Sequence, residues 1–400
     1  MRFRLTVVAI LLAATLAAGA SVREPLASAQ AGNDAAAMQA RIEGASPGIG
    51  KLDDQTLAAV MARFNVPGVS VAVIRDYAIH WSKGYGVADV ETKQPVTVDT
   101  LFQAASISKP VTAMAAMSLV QDGKLELDAD VNLILESWKV PKPTGWSAPV
   151  TPRSLMSHTS GSDDGFGFPG YEPGTPRPTL VQILNGEAPS NVGRVLFVRP
   201  PYQAYKYSGG AVTLMQLALG DLTGRPFAEF MRASVLAPLG MSDSTFEQPI
   251  PDPLAARTAR AHGRDGLARP VKWHVYPEQA AAGLWTTPRD LAKAAIEVQR
   301  ALRGPKGAVL TQASAREMTT PVGVGPFAVG FTIDQRGEGW YFSHGGSNWG
   351  FQCQLVAHVR KGYGVAVMTN ADSGGAVIQE VIARVAAAYK WDSLDKPLPR

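Results

Sequence analysis

Four hundred residues, 46% hydrophobic and 18% charged, with 39 glycines and 29 prolines, describe a globular chain; disorder needs fewer apolar residues and a larger charge imbalance. The length allows one large or two ordinary domains, and the lone Cys353 excludes an intramolecular disulfide or a multi-cysteine metal site. The net charge of +4 drops to +2 without Arg2 and Arg4, too weak a field to argue for nucleic acid or an anionic membrane.

Those two arginines open a secretory pattern. Leu5 to Ala18 is apolar except for Thr6 and Thr15, and Ala18-Gly19-Ala20 supplies the small residues of a cleavage site, with competitors as late as Ala31. About 14 apolar residues fall short of the roughly 20 that span a bilayer, so no stable membrane anchor is expected. The pattern predicts export, to the periplasm or beyond the cell. Residues 21–50, rich in small residues, read as a flexible leader.

Val69–Ile74 and Ala78–Trp81 then read as strands joined by a turn at Arg75-Asp76-Tyr77. Past Ser106 the period lengthens: Val111, Met114, Ala115, Ser118 and Leu119 share a helical face that stops at Gly123. Residues 141–207 are rich in Gly, Pro and Ser, the signature of long binding loops. Helical patterns return at 210–222, 226–236 and 288–302. Phe327–Ile333, Trp340–Ser343, Phe351–Val359 and Tyr363–Thr369 read as antiparallel strands, followed by a helix carrying Val377, Ile378, Val381, Ile382, Val385 and Tyr389 on one face. Strands at both ends predict a sheet domain of residues 51–105 and 275–400, with a helical and loop insertion over 106–274.

Three short motifs carry the chemistry. Ser106-Ile107-Ser108-Lys109 sets a lysine one helical turn from a serine, near enough to activate the hydroxyl. A helix start there aims free N–H groups at the reacting centre. Alone, the pair is equally a capping serine beside a surface lysine, and a second copy stands at Ser393-Leu394-Asp395-Lys396 in a polar tail that offers no pocket. Tyr207-Ser208-Gly209 places a phenol before a helix, a base for serine and water if nearby positive charge lowers its pKa. In Ser343-His344-Gly345-Gly346-Ser347 two glycines let a substrate lie along a strand edge, and His344 would supply an adjustable proton donor. Each motif alone has a plain structural explanation.

Their order decides the reading. S-x-x-K, then Tyr-x-Gly, then His-Gly-Gly on a late strand resembles the serine β-lactamase and penicillin-binding-protein superfamily, in its class C branch with DD-peptidases and family VIII esterases. Val66-Pro67-Gly68-Val69, Leu155 to Gly161, Pro238-Leu239-Gly240-Met241 and Ala282 to Thr287 extend the likeness over about residues 50–390. The resemblance implies an α+β (mixed α/β) fold, an antiparallel sheet flanked by helices plus an α-helical domain, with the active site in the cleft between them. It also implies that Ser106 is acylated, that Lys109 and Tyr207 exchange protons, that His344 stands where many relatives have lysine, and that the N–H groups of Ser106 and Ser347 form the oxyanion hole beside Gly345, Gly346 and Gly209. His158 reads as loop scaffolding.

Two departures narrow the function. Gly209 stands where β-lactamases usually carry an asparagine, and His-Gly-Gly replaces Lys-Thr-Gly, removing a charge and a hydroxyl that would grip a carboxylate. Both weaken the case for an efficient β-lactamase and leave acyl transfer intact. The expectation is a secreted serine hydrolase of esterase or D-amino acid peptidase type, acting on a small ester, amide or peptide, with Phe166, Phe168, Tyr171 and Trp349 giving the cleft an apolar cast. A class C-like β-lactamase and a non-turnover penicillin-binding or sensor protein are the alternatives. A class A-like reading through Ser162-Asp163-Asp164 ignores Tyr207 and is rejected. Six scattered histidines without a His-x-x-x-His pair, and no phosphate-cradling loop, argue against any metal or cofactor.

Overall fold

The computed structural model describes residues 34–45, 52, 54–141, 145–164, 167–304, 307–337 and 339–392. The export signal, its candidate cleavage sites, Phe166 and the Ser393 pair lie outside them.

One strand in from the edge of the sheet lies a run without a polar face. Gly68–Arg75 (β1) is buried along almost its whole length, as a strand covered on both sides must be. It turns into Ala78–Gly86 (β2) through Asp76 and Tyr77, whose φ values of +52° and +62° give the hairpin link that matches strand twist. Neither is glycine. Tertiary contacts hold the turn instead: the Tyr77 N–H donates to Gly362 O at 2.9 Å, and the Arg303 guanidinium lies 4.4 Å from the Tyr77 ring centre.

Two short antiparallel pairs come next, Phe102–Gln103 (β3) with Trp285–Thr286 (β6) and Ser162–Asp163 (β4) with Leu196–Phe197 (β5). Thr332–Arg336 (β7), Gly339–Asn348 (β8), Phe351–His358 (β9) and Gly364–Thr369 (β10) then complete a six-stranded antiparallel sheet in the order β2-β1-β10-β9-β8-β7. The strand expected at Phe327–Ile333 is shifted. Residues 327–331 are all buried, so no alternating face marks a strand there. Gly330 also takes φ +92° and fits so close to helix 108–121 that a Cβ would lie 2.7 Å from the Ala113 Cβ. Regular pairing therefore starts only at Thr332.

One face of the sheet buries Val69, Val71, Val73, Val365 and Val367 against residues 34–43 (α1), Leu57–Arg63 (α2) and Gly374–Ala388 (α12). Each fully buried valine or isoleucine in that layer contributes about 1.5–3 kcal/mol. Residues 34–43 correct the expectation of a flexible leader through residue 50: they are helical, and Ile42 is fully buried. Arg384, 1% exposed, explains why. It donates to Glu380 Oε1 at 2.8 Å and to the carbonyls of Ile42, Gly44, Leu52 and Gln55 at 2.7–3.1 Å, joining the first described segments to the last helix.

Pro288–Arg303 (α10) covers the other face, where Ala72, Ile74, Leu355, Ala366 and Met368 join a core shared with the helical part of the chain. That part holds Ser108–Gln121 (α3), Pro152–Met156 (α4), Leu180–Asn185 (α5), Gly209–Thr223 (α6), Phe227–Met231 (α7, continuing as a π turn over Arg232–Leu236), Asp252–Ala255 (α8) and Gln279–Ala282 (α9), with Gln312–Glu317 (α11) beyond α10. The stretch 141–207, read as loops, thus contains two short helices. Reciprocal capping starts both, Thr151 with Ser154 in α4 and Thr179 with Gln182 in α5, and Gly186 ends α5 in the left-handed conformation.

Candidate active site

The serine lies just before a helix. Ala105–Ile107 form a 3-10 turn, and α3 begins at Ser108, two residues later than the sequence suggests. The spacing still works: the Lys109 ammonium nitrogen reaches Ser106 Oγ at 3.0 Å and Ala281 O at 2.8 Å. Ala105 has φ +48°, which costs a non-glycine residue about 1–3 kcal/mol. Neighbouring backbone holds it there. Ala104 N–H donates to Leu284 O at 2.8 Å, Ser108 Oγ donates to Ala105 O at 2.6 Å, and the Cys353 thiol donates to Ala104 O at 3.0 Å. Gly346 on β8 presses on the same turn, where a Cβ would lie 2.3 Å from Ala104 O and 2.4 Å from Cys353 Sγ. Only glycine permits that approach, which carries the backbone of Ser347 alongside the serine turn.

Tyr207 enters from the other side. Its hydroxyl hydrogen-bonds the Ser106 side chain, and the Lys109 nitrogen lies 5.0 Å from its ring centre. Its placement comes from buried polar groups. The His158 ring packs on Tyr207 at 4.2 Å between centroids, and His158 Nδ1 accepts from Ser208 N–H at 3.1 Å. Asp164 accepts from the Ser208 hydroxyl and, at 2.8 Å, from Gly210 N–H, while Ser208 Oγ caps α6 by accepting from Ala211 N–H at 2.8 Å. His158 scaffolds, as expected, but in direct contact with the phenol. Asp164 was weighed only within the rejected motif, and no local signal ties it to a turn more than forty residues away. Phe327 adds a ring 4.6 Å from His158 and 5.9 Å from Tyr207.

His344 completes the group, its ring 6.2 Å from that of Tyr207. Its Nδ1 lies 2.6 Å from Gly345 O, which can only accept, so Nδ1 carries the proton. Nε2 is left as a buried lone pair without a partner among the described residues. Burial and the nearby Lys109 push the His344 pKa down to about 3. The expected adjustable proton donor is therefore a neutral acceptor.

The electrostatics assign the proton traffic. Burial draws the Lys109 ammonium down from 10.5 to about 7, against the pull of the Asp164 carboxylate. No described carboxylate makes an ion pair with it. Burial also pushes the Tyr207 phenol above its ordinary value, so the expected lowering is absent and the resting tyrosine keeps its proton. A neutral lysine beside a serine hydroxyl is a competent general base.

Gly209 and Gly345 differ in surroundings. A Cβ at Gly345 would meet the Gln354 side chain at 2.9 Å and Cys353 O at 3.8 Å, whereas one at Gly209 would lie 2.7 Å from the Phe168 ring. A cavity of about 780 Å³ opens beyond Ser347 and Gly210, bordered by Phe168 and Trp349. Tyr171 does not border it: that side chain is buried, and its hydroxyl accepts from Asn191 N–H at 3.1 Å. No group of three or more metal-ligating side chains occurs among the described residues, and no described helix is long and apolar enough to cross a membrane.

A family model described as Beta-lactamase matches residues 54–390. Esterase EstB of Burkholderia gladioli is 28% identical over 309 residues, 69% of this chain and 74% of that protein. Protein flp of Staphylococcus aureus (strain N315) is 23% identical over 337 residues, 80% of this chain but 63% of flp, so the chain spans a little under two thirds of that relative. Among solved structures, D-amino acid amidase from Ochrobactrum anthropi SV3 complexed with L-phenylalanine matches with a TM-score of 0.67 at 24% identity, over 88% of this chain and 98% of that one.

Proposed function

The chain belongs to the Beta-lactamase family, and from that premise we propose that it is a serine hydrolase that opens small esters or amides, of esterase or D-amino acid peptidase type, through an acyl-enzyme on Ser106. The observation that carries the reading is the Ser106–Lys109–Tyr207 hydrogen-bonded group, with its lysine buried and close to neutral.

In the first step the Lys109 amine takes the Ser106 proton while Oγ attacks the carbonyl carbon. The N–H groups of Ser106 and Ser347 receive the oxyanion. As the tetrahedral intermediate collapses, the Tyr207 hydroxyl gives its proton to the leaving oxygen or nitrogen and regains one from Lys109. Water, deprotonated along the same path, then releases the acid. His344, neutral and with its Nε2 buried, adds no charge to this path.

The same residues disfavour a β-lactamase. A neutral lone pair at His344 offers a carboxylate no attraction, and Phe168 fills the space beside Gly209. Relatives that include an esterase and, in fold, a D-amino acid amidase support the choice. The proposal retains export on the strength of the Arg2 to Ala20 pattern, and the division into a sheet unit (51–105, 275–400) and a helical unit (106–274) with the cleft between them.

The test compares kcat/KM for a p-nitrophenyl short-chain ester, a D-alanyl peptide and a chromogenic cephalosporin, with Ser106→Ala as control. The expected result is ester or peptide turnover lost in Ser106→Ala, with a covalent label on Ser106 in the native chain. Full activity in the variant, or labelling of Ser393, overturns the assignment. A tenfold preference for the cephalosporin restores the β-lactamase.

A further inference from the structure

We infer that the cavity beyond Ser347 is an acyl-side subsite, that it takes an apolar acyl group without a hydrogen-bonding substituent, and that Phe168 determines this by filling the space a side chain at position 209 would occupy. The inference rests on the serine-hydrolase reading and goes further by naming the acyl specificity.

Position fixes which half of the substrate enters. Ser347 and Gly210 border the cavity, whereas Ser106, Lys109, Tyr207 and His344 do not. The leaving group must collect its proton from the lysine–tyrosine side. What remains bonded to Ser106 then lies toward Ser347 and into the cavity.

The lining fixes the chemistry. Phe168, Ile183, Val192, Val195 and Trp349 present carbon, and most polar side chains at the border are already engaged, the Ser347 hydroxyl proton excepted. Asp164 is held by Ser208 and Gly210, and Asp372 by Arg269 and by Gly350 N–H at 2.8 Å. Asn348 Nδ2 donates to Gln103 Oε1 at 2.9 Å and Ala282 O at 3.1 Å, and Ser347 Oγ accepts from Gln352 Nε2 at 2.8 Å. His274 lies flat on Trp349, 4.0 Å between centroids, with Nδ1 donating to Pro169 O at 2.8 Å. Its Nε2 has no partner among the described residues but is sealed from solvent and is not offered to the cavity. An acylamino group placed here would lose its hydrogen bonds to water and find at most the Ser347 hydroxyl in exchange.

Phe168 and position 209 exclude each other. Ring carbons 2.7 and 2.9 Å from a Cβ at 209 lie closer than any side chain tolerates. An amide-bearing side chain there requires that the aromatic ring leave. The two positions therefore form one switch between an apolar and an amide-reading wall.

Two substrates with a common leaving group test this, p-nitrophenyl butyrate and p-nitrophenyl N-acetylglycinate, on the native chain, Phe168→Ala, Gly209→Asn and the double variant. The native chain should favour the butyrate. Phe168→Ala should lower butyrate kcat/KM about tenfold and leave the acylamino ester nearly unchanged. Gly209→Asn alone should impair both esters, and the double variant should shift the ratio at least tenfold toward the acylamino ester, more than the single changes combined. Should Gly209→Asn fail to fold, the ratio in Phe168→Ala decides alone. A ratio unmoved in Phe168→Ala, or effects that simply add, overturn the inference. A fluorophosphonate label separates the two levels: no label on Ser106 and no turnover of either ester defeats the hydrolase reading, whereas label and turnover with an unmoved ratio defeat only the subsite.

Discussion

The turn that carries Ser106 and the loop that carries Tyr207 meet across about 3 Å of hydrogen bonds, yet they are held by different means. The serine turn is fixed by backbone: a left-handed Ala105, a thiol and an N–H on neighbouring carbonyls, and a glycine pressed against the chain. The tyrosine is fixed by side chains, with His158 beneath the ring and Asp164 gathering the Ser208 and Gly210 donors. Backbone packing has almost no slack, since a single methyl group has nowhere to go. A hydrogen-bonded carboxylate can lose part of its hold and keep the rest. The serine turn should therefore be brittle and the tyrosine loop tolerant.

The largest effect is expected where both halves depend on one residue. Lys109→Ala should lower ester kcat/KM by on the order of a thousandfold or more, because deleting one member of a nucleophile–base unit disables the unit. A loss under tenfold would place the base elsewhere. Gly346→Ala probes the serine turn alone. Its methyl, 2.3 Å from Ala104 O, must displace the turn. We expect about a hundredfold loss of kcat and about 1–3 kcal/mol of stability in thermal melts.

Asp164→Asn probes the tyrosine loop. The amide keeps one acceptor and sets an N–H against a donor, which costs about 1–3 kcal/mol, and kcat should fall only about tenfold. A fall larger than that of Gly346→Ala would reverse the contrast between the two halves. The mildest test changes only pH. With the Lys109 pKa at about 7, protonation blocks the base at lower pH, so kcat/KM should rise about tenfold per unit up to 7 and level off above it. His344, already neutral, should add no step between pH 5 and 8. A rate that falls as pH rises through 7 would exclude lysine as the base.

The same contrast describes what could be read from the sequence. Strands β1, β9 and β10 and helices α6 and α10 were legible because their apolar residues repeat with one period over many positions. Ser106, Lys109, Tyr207 and His344 were legible as a motif order, and the fold brings them together. Helices α4 and α5 were not, since five or six residues hold too few turns for a period to show. Residues 34–43 looked like a leader because their order comes from Arg384, some 340 residues away. Phe327 opens an apolar stretch that reads as a strand, but Gly330 breaks the extended chain, and the ring instead packs against His158 and Tyr207. The proton states of Tyr207 and His344 were misjudged chiefly because sequence does not report burial, which outweighs the Ser106 hydrogen bond at Tyr207 and acts together with the Lys109 charge at His344.

The register that sets Val69 opposite Thr369 also dictates timing. β1 is an interior strand whose second partner is synthesised some three hundred residues later, so the early hairpin waits with one edge unpaired through most of translation. Pairings this distant along the chain fold slowly, since the loop must close before contacts repay it. Gly346 and Ser347, which flank the serine turn, also arrive late. A nascent chain therefore holds Ser106 and Lys109 without the strand that presses their turn into shape. Hydrolytic competence should appear in one step near the end of synthesis, when β8 closes on the serine turn and β10 on the early hairpin.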